Sequence, residues 1–228
     1  MRNRKTLPLS KSAGFTLVEI LVTISIIIVI GGISLSTLNA ARDRANRVVG
    51  VSNLRQIGMG LSQCLADRNQ TFPGPMWPGQ VPQLDPKRSG RLVRELAPYF
   101  ALPERTEPWV VPLFVSPAYL RAKPKGVTLE NCRTFVLNMQ VSNAEEIPIN
   151  PWGSLVEGSQ MPMRFNVIAN PSTAWAISDA DRLHPSVAGA SWRTSTPEKP
   201  IYGNVRMAVF FDGHVSSLPL SDFESISK

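Results

Sequence analysis

"KSAGFTLVEILVTISIIIVIGGISL", residues 11–35, decides how the rest of the chain is read. From Phe15 to Leu38 the sequence runs 24 residues with one ionisable group, Glu19. A helix rising about 1.5 Å per residue crosses a hydrocarbon layer about 30 Å thick in such a stretch. A secretory signal would show an apolar region of about 7–15 residues followed by a small-residue cleavage site. Here the basic and small residues come first, and the run passes without a break into an amphipathic pattern. A retained membrane segment is therefore expected. Its acid stands out, because a carboxylate inside lipid costs on the order of 2.5–3.5 kcal/mol at mid-helix and less near an end. Glu19 needs a partner there, or must snorkel to the interface from its place close to the start of the run.

Composition narrows the function classes. The 228 residues are 43% apolar and 18% charged, enough for a folded domain plus an appendage. The net charge of +7 would suggest nucleic acid, but Arg2, Arg4, Lys5 and Lys11 supply four of the positive charges before Phe15. Without them 20 basic residues face 17 acidic ones, so the basic balance is mostly an N-terminal tag and no nucleic-acid partner is expected. Arg42, Arg44, Arg47 and Arg55 follow the span closely, and the positive-inside count leaves its orientation open.

The order of residues at the junction goes further. A basic leader ending in Gly14, then Phe15, Thr16, Leu17, Val18 and Glu19, closely resembles the prepilin leader of type IV pilins and type II secretion pseudopilins. The resemblance implies cleavage after Gly14 by a membrane-embedded prepilin peptidase and N-methylation of Phe15. It also implies a cytoplasmic leader, a single-pass anchor in the bacterial inner membrane and a periplasmic head. In that family the fifth mature residue, here Glu19, is taken to pair with the α-amino group of a neighbouring subunit's first residue. Low dielectric would strengthen that attraction and leave neither charge alone. The other implied partners are fellow subunits, the assembly platform and membrane lipid.

Beyond the span, residues 39–69 keep a helical period. Ala41, Ala45, Val48, Val51, Leu54, Ile57, Gly58, Leu61, Cys64 and Leu65 recur at steps of three and four, with charged and amide residues opposite. Gly58 and Gly60 weaken this helix, and Pro73-Gly74 closes it after Asn69. Gly31-Gly32 inside the span would permit close helix approach or a bend, or are simply tolerated. Residues 73–128 are proline-rich and predict short irregular pieces, with one brief helix around "SGRLVRELAPYF" capped by Ser89. Trp77 and Trp109 beside prolines read either as packing residues or as a platform for sugar or peptide. Strands are predicted over 133–141, 163–170, 173–179 and 204–211, and Asp212-Gly213 predicts a two-residue hairpin turn.

Parts of the head resemble a subgroup of prepilin-like proteins, common in planctomycete and verrucomicrobial sequences, that end in His-x9-Asp-Gly. "VSNLRQIGMGL", "TFVLN", "NPSTAWAISDAD" and "VFFDGHV" carry this resemblance. Two departures accompany it: Tyr202 stands where the subgroup has the His, and Ser116-Pro117 where it often has Cys-Pro. "SDADRLHP" places Asp179, Asp181 and His184 within six residues. Pseudopilin heads of the resembling family bind calcium, so a Ca²⁺ site using Asp179, Asp181 or Asp212 is a candidate, although no EF-hand spacing is present. Short acidic loops are otherwise solvated turns or caps, and no cofactor is expected beyond that candidate. Cys64 and Cys132 would form one disulfide in an oxidising compartment, or remain buried thiols.

The expected fold is α+β and pilin-like. A long N-terminal helix, membrane-spanning in its first half and amphipathic in its second, packs against a small antiparallel β-sheet head. The expected divisions are leader 1–14, assembly helix 15–38, helix continuation 39–70 and periplasmic head 71–228. The expected function is that of a non-enzymatic filament subunit. One alternative is a pilin-anchored ligand-binding or adhesive module using Trp77, Trp109 or Trp192. The other is a tethered hydrolase built on Asp179, Asp181, Asp212 and His214. No phosphate loop, Cys-x-x-Cys, zinc-protease pair or Gly-x-Ser-x-Gly elbow supports an enzyme.

Overall fold

The computed structural model describes residues 14–103, 105–155 and 160–226. Arg2, Arg4, Lys5 and Lys11, read above as part of a leader, lie outside them. Helix α1 (Leu17–Asp67) is one element of 51 residues. No part of its most apolar stretch is buried, and it is long and apolar enough to cross a membrane. By compactness the chain divides into two units, Met1–Arg42 and Asp43–Lys228.

The second unit contains the last turns of α1 and a series of short elements. In chain order these are β1 (Gly79–Gln80), β2 (Gln83–Leu84), α2 (Leu92–Leu96), β3 (Trp109–Val110), α3 (Pro117–Ala122), β4 (Phe135–Leu137), β5 (Val141–Ser142) and β6 (Pro148–Ile149). There follow β7 (Trp175–Asp179), α4 (Pro185–Ala188), β8 (Val205–Phe210), β9 (Val215–Pro219) and α5 (Leu220–Ile226). The main sheet has the order β1-β4-β7-β8-β9 and is antiparallel throughout. Helix and antiparallel sheet together are the expected α+β architecture.

Side-chain alternation along the strands sorts the core into two layers. Leu137, Ile177, Met207 and Val209 join Leu54, Ile57, Leu61 and Cys64 of α1 in the principal cluster. Val136, Ala208 and Phe210 face the other way, onto Trp175, Val187 and Phe223. Both faces of the central strands β4, β7 and β8 are dry, while β9 at the edge is partly exposed, an uncommon degree of burial for an antiparallel sheet. The helical stripe is shorter than its sequence pattern: Gly50 is buried, but Ala41, Ala45 and Val48 are exposed.

Several local expectations are corrected. Segment 163–170 is not a strand. It makes one bridge, Thr71 with Arg164, held by the Phe72 and Phe165 N–H groups donating to Met163 and Gln70 carbonyls at 2.9 and 2.7 Å. It then turns into a 3₁₀ helix at Phe165–Val167. Ser89 does not cap α2: Arg91 holds that position without a side-chain bond, and the Leu92 N–H donates instead to Oε1 of buried Gln80 at 2.6 Å. The closing hairpin has a three-residue loop. Gly213 N–H donates to the Phe210 carbonyl and Phe210 N–H to the His214 carbonyl, both at 2.9 Å, and Gly213 takes φ +90°, as a turn ending in a bulge requires.

The disulfide considered between Cys64 and Cys132 is not formed. Both thiols are free and buried, Cys64 in the helix–sheet cluster and Cys132 with Val115 and Tyr119 in a separate one. Burial pushes both thiols up from their ordinary value, which makes them poor nucleophiles. Two thiols are expected on titrating unreduced protein in denaturant, with little reaction before unfolding; a count of zero would restore the bridge. Ile57→Ala should cost about 2–5 kcal/mol in chemical denaturation. Val48→Ala, outside the buried stripe, should stay within about 0.5 kcal/mol.

Candidate functional site

Gly14, Phe15 and Thr16 precede the first helical residue, Leu17. The Gly14–Phe15 peptide is therefore outside the helix, and Phe15 is 80% exposed. Sequence dictates how the helix begins. Thr16-Leu-Val-Glu19 is a capping box: Glu19 N–H donates to Thr16 Oγ1 at 3.3 Å, while Thr16 N–H and Oγ1–H both donate to Glu19 Oε2 at 2.9 Å. Glu19 thus satisfies an otherwise orphaned donor and places negative charge at the positive end of the helix dipole. Its Oε1 accepts no hydrogen bond among the described residues.

The acidic segment after β7 does not assemble as a metal loop. Asp181 is taken by Arg206 of β8 in a bidentate pair, Nε to Oδ2 at 2.6 Å and the second guanidinium nitrogen to Oδ1 at 3.0 Å, both side chains almost fully buried. Asp179 accepts the Met207 N–H at 2.9 Å. Asp212 lies in the exposed hairpin, 2.6 Å from His214 Nδ1. Among the described residues no group of three or more His, Cys, Asp or Glu side chains is placed to hold a metal ion. Of the residues of the hydrolase alternative, Asp179 and Asp181 are buried, while Asp212 and His214 lie exposed in the hairpin. His184 is a core residue: its Nδ1 accepts the Ser186 N–H at 3.1 Å, and its ring packs edge-on between Trp175 and Phe223.

Tyr202 and Ser116 meet at α1. A Cβ built on Gly50 would fall 1.9 Å from the Tyr202 hydroxyl and 3.7 Å from Ser116 Cβ, so glycine is what lets the phenol lie on the helix backbone. Ser116 caps α3, its Oγ accepting the Tyr119 N–H at 3.1 Å, with Pro117 in the first turn. Burial, with the charge of Asp179 adding, holds the Tyr202 hydroxyl above its ordinary range. Arg47 donates to the Tyr202 carbonyl at 3.1 Å.

A family model described as the prokaryotic N-terminal methylation motif matches residues 9–35. The match supports a type IV pilin-like processed protein. No curated protein and no solved structure is significantly similar to the chain. The match ends within the apolar part of α1, so the head is read from its own structure.

The tryptophans are mainly packed. Trp192 seats on Gly79 under Arg133, and Trp109 lies under Arg105 at 4.7 Å; Trp77 is the more exposed, at 43%. Sequence reading missed Arg206, whose signal is a lone cation inside the apolar run "NVRMAVFF". It also missed α3, signalled by Ser-Pro at a helix start.

The buried polar groups carry a pH signature. Burial, with Asp181 adding and the Met207 N–H and Arg206 opposing, pushes the Asp179 carboxyl up to about 7. Burial and then Arg206 push the His184 imidazole down to about 3. Asp179 therefore contributes stability that is full below about pH 4 and is lost as pH rises through 7. His184 contributes stability that is full above about pH 6.5 and is lost as pH falls toward 3. Between about pH 4 and 6.5 the two slopes oppose. Asp179→Asn should make stability rise with pH across this window by up to about 1.4 kcal/mol per unit relative to the parent. His184→Asn, which keeps an acceptor for Ser186, should make it fall. Denaturation midpoints at pH 4.5 and 6 test this, and profiles parallel to the parent's in both variants would refute it.

Proposed function

We propose that the chain is a structural subunit of a type IV pilus or type II secretion-like filament. In this reading a prepilin peptidase cuts between Gly14 and Phe15, Phe15 is N-methylated, and subunits assemble through α1 with the head on the periplasmic side of the inner membrane. One observation carries it: a lone carboxylate, Glu19, sits five residues past Gly14 at the start of an exposed apolar helix. The matched methylation motif supports the same reading.

The capping box refines the role of Glu19. Oε2 is spent on Thr16, while Oε1 remains for the α-amino group of another subunit's Phe15. A carboxylate offers about four acceptor sites, so one group serves both contacts. Charge rather than capping would then drive assembly, since glutamine also serves at this position of a capping box.

Intact-mass analysis of the membrane fraction should find a chain starting at Phe15 and one methyl group heavier than its sequence. Gly14→Val should leave the leader attached. Glu19→Gln should be cleaved normally yet fail to enter filaments, as should Glu19→Ala. Filament incorporation of Glu19→Gln at parental levels would reduce Glu19 to a helix cap and sink the charge-pairing reading.

A further inference from the structure

Between the first turns of α1 in the second unit, α3 and the loop before β8 lies a cavity of about 410 Å³. Three guanidinium groups face it, Arg44, Arg47 and Arg121, against one carboxylate, Asp43. Asp43 is already engaged: Arg121 donates to its Oδ1 at 2.7 Å, which fixes Arg121 over the opening. Arg47 is fixed by its bond to the Tyr202 carbonyl. Arg44 makes no hydrogen bond or ion pair among the described residues. The cavity thus keeps an uncompensated double positive charge on Arg44 and Arg47, the latter held in place by Tyr202, and guanidinium forks suit a phosphate better than a lysine cluster would. Ala118 and Ile201 line the same cavity and offer an apolar surface to a glycerol stem.

Its place in the chain selects the ligand. Arg44 follows Leu38, the end of the apolar run, by six residues, or about 9 Å of helix. The polar layer outside the hydrocarbon is about 5–8 Å deep on each side, so the backbone of Arg44 stands just past it and its long side chain reaches back into it. We propose that this cavity binds the phosphate headgroup of an anionic phospholipid and so ties the head to the membrane surface before assembly. The proposal rests on residues 15–38 spanning the bilayer, and it holds for either orientation of the span. A free inorganic anion and an acidic surface of a second copy are the competing occupants, but neither accounts for the cationic cluster following so closely on the span.

The full chain, held in neutral detergent and mixed with equal amounts of phosphatidylglycerol and phosphatidylcholine, can be assayed by native mass spectrometry. Phosphatidylglycerol should be retained preferentially. Arg44→Gln and Arg121→Gln should each lower that retention about fivefold, whereas Arg55→Gln, which removes a charge from α1 outside the cavity, should leave it unchanged. Equal retention of the two lipids would overturn the proposal, as would an Arg55→Gln effect matching Arg44→Gln. Displacement by inorganic phosphate would make the site one for free anions. Loss of self-association in Arg44→Gln with lipid retention intact would make it a contact between copies. A chain that stays soluble and monodisperse without detergent would instead refute the span, and the proposal with it.

Discussion

One side of α1 between Gly50 and Leu65 has to be kept dry, and the head is arranged to do it. Leu54, Ile57, Leu61 and Cys64 are each at most 2% exposed, and the strands that cover them do so because the helix gives way where they touch. A Cβ on Gly58 would lie 3.1 Å from Val209 and 3.2 Å from the Gly213 carbonyl. Gly60 makes the same room for the Phe100 ring. Glycine in a helix interior costs about 1 kcal/mol against alanine, and here close packing of the β8–β9 hairpin and of Phe100 offsets it. The two glycines that weaken the helix as a helix are what fit it to its sheet.

Covering one face of the sheet creates the problem of the other. Val136, Ala208 and Phe210 alternate onto the far side, and α5 closes it with Phe223, 1% exposed and 5.5 Å from the Trp175 ring. Arg206 is the exception in this layer. Its guanidinium lies over Phe223 at 5.0 Å and is neutralised by Asp181 in two parallel bonds. A buried pair of this kind contributes little net stability over apolar packing, but removing one partner strands the other charge and costs about 3–5 kcal/mol. The pair therefore acts as a register lock between the end of β7 and β8. Asp179, two residues away, holds no cation of its own, which is why burial drives it toward its neutral form.

Legibility followed locality. The start of α1, its apolar run and the strands at 173–179 and 204–211 can be read from the sequence because their signals lie within a few residues of one another. Segment 163–170 has strand composition, but a strand needs a partner. Gln70, Thr71 and Phe72 give it one bridge, and its other backbone bonds go singly to the Pro151 and Ser142 carbonyls, so no ladder forms and the segment turns. Gln80 is the opposite case: nothing near position 80 announces that an amide twelve residues upstream will accept the first N–H of α2, displacing Ser89 from that task. The acidic pattern at 179–184 misleads for the same reason. A metal loop and an ion pair look alike until Arg206, 25 residues on, is brought beside Asp181 by the β7–β8 register. The Tyr202–Gly50–Ser116 contact joins three segments no spacing rule connects.

In the first unit Glu19 is a charge at the start of an apolar helix, where charge is expensive, and its geometry divides the difficulty in two. Before any partner arrives, Oε2 receives two bonds from Thr16 and the carboxylate faces the positive end of the helix dipole. On the proposed reading these together lower the cost of holding the acid within the hydrocarbon layer. They do not remove it, because Oε1 is still unmet and no full positive charge is supplied. On that reading an uncleaved leader cannot supply one either, since Phe15 then contributes an amide nitrogen rather than an amine. On the proposed reading the subunit therefore waits in the membrane with its first turn formed and its charge half satisfied. Proteolysis creates the one group small enough and cationic enough to complete it on the next subunit. The capping box and the intersubunit pair are then successive uses of a single side chain, one setting the helix start and the other its register against a neighbour.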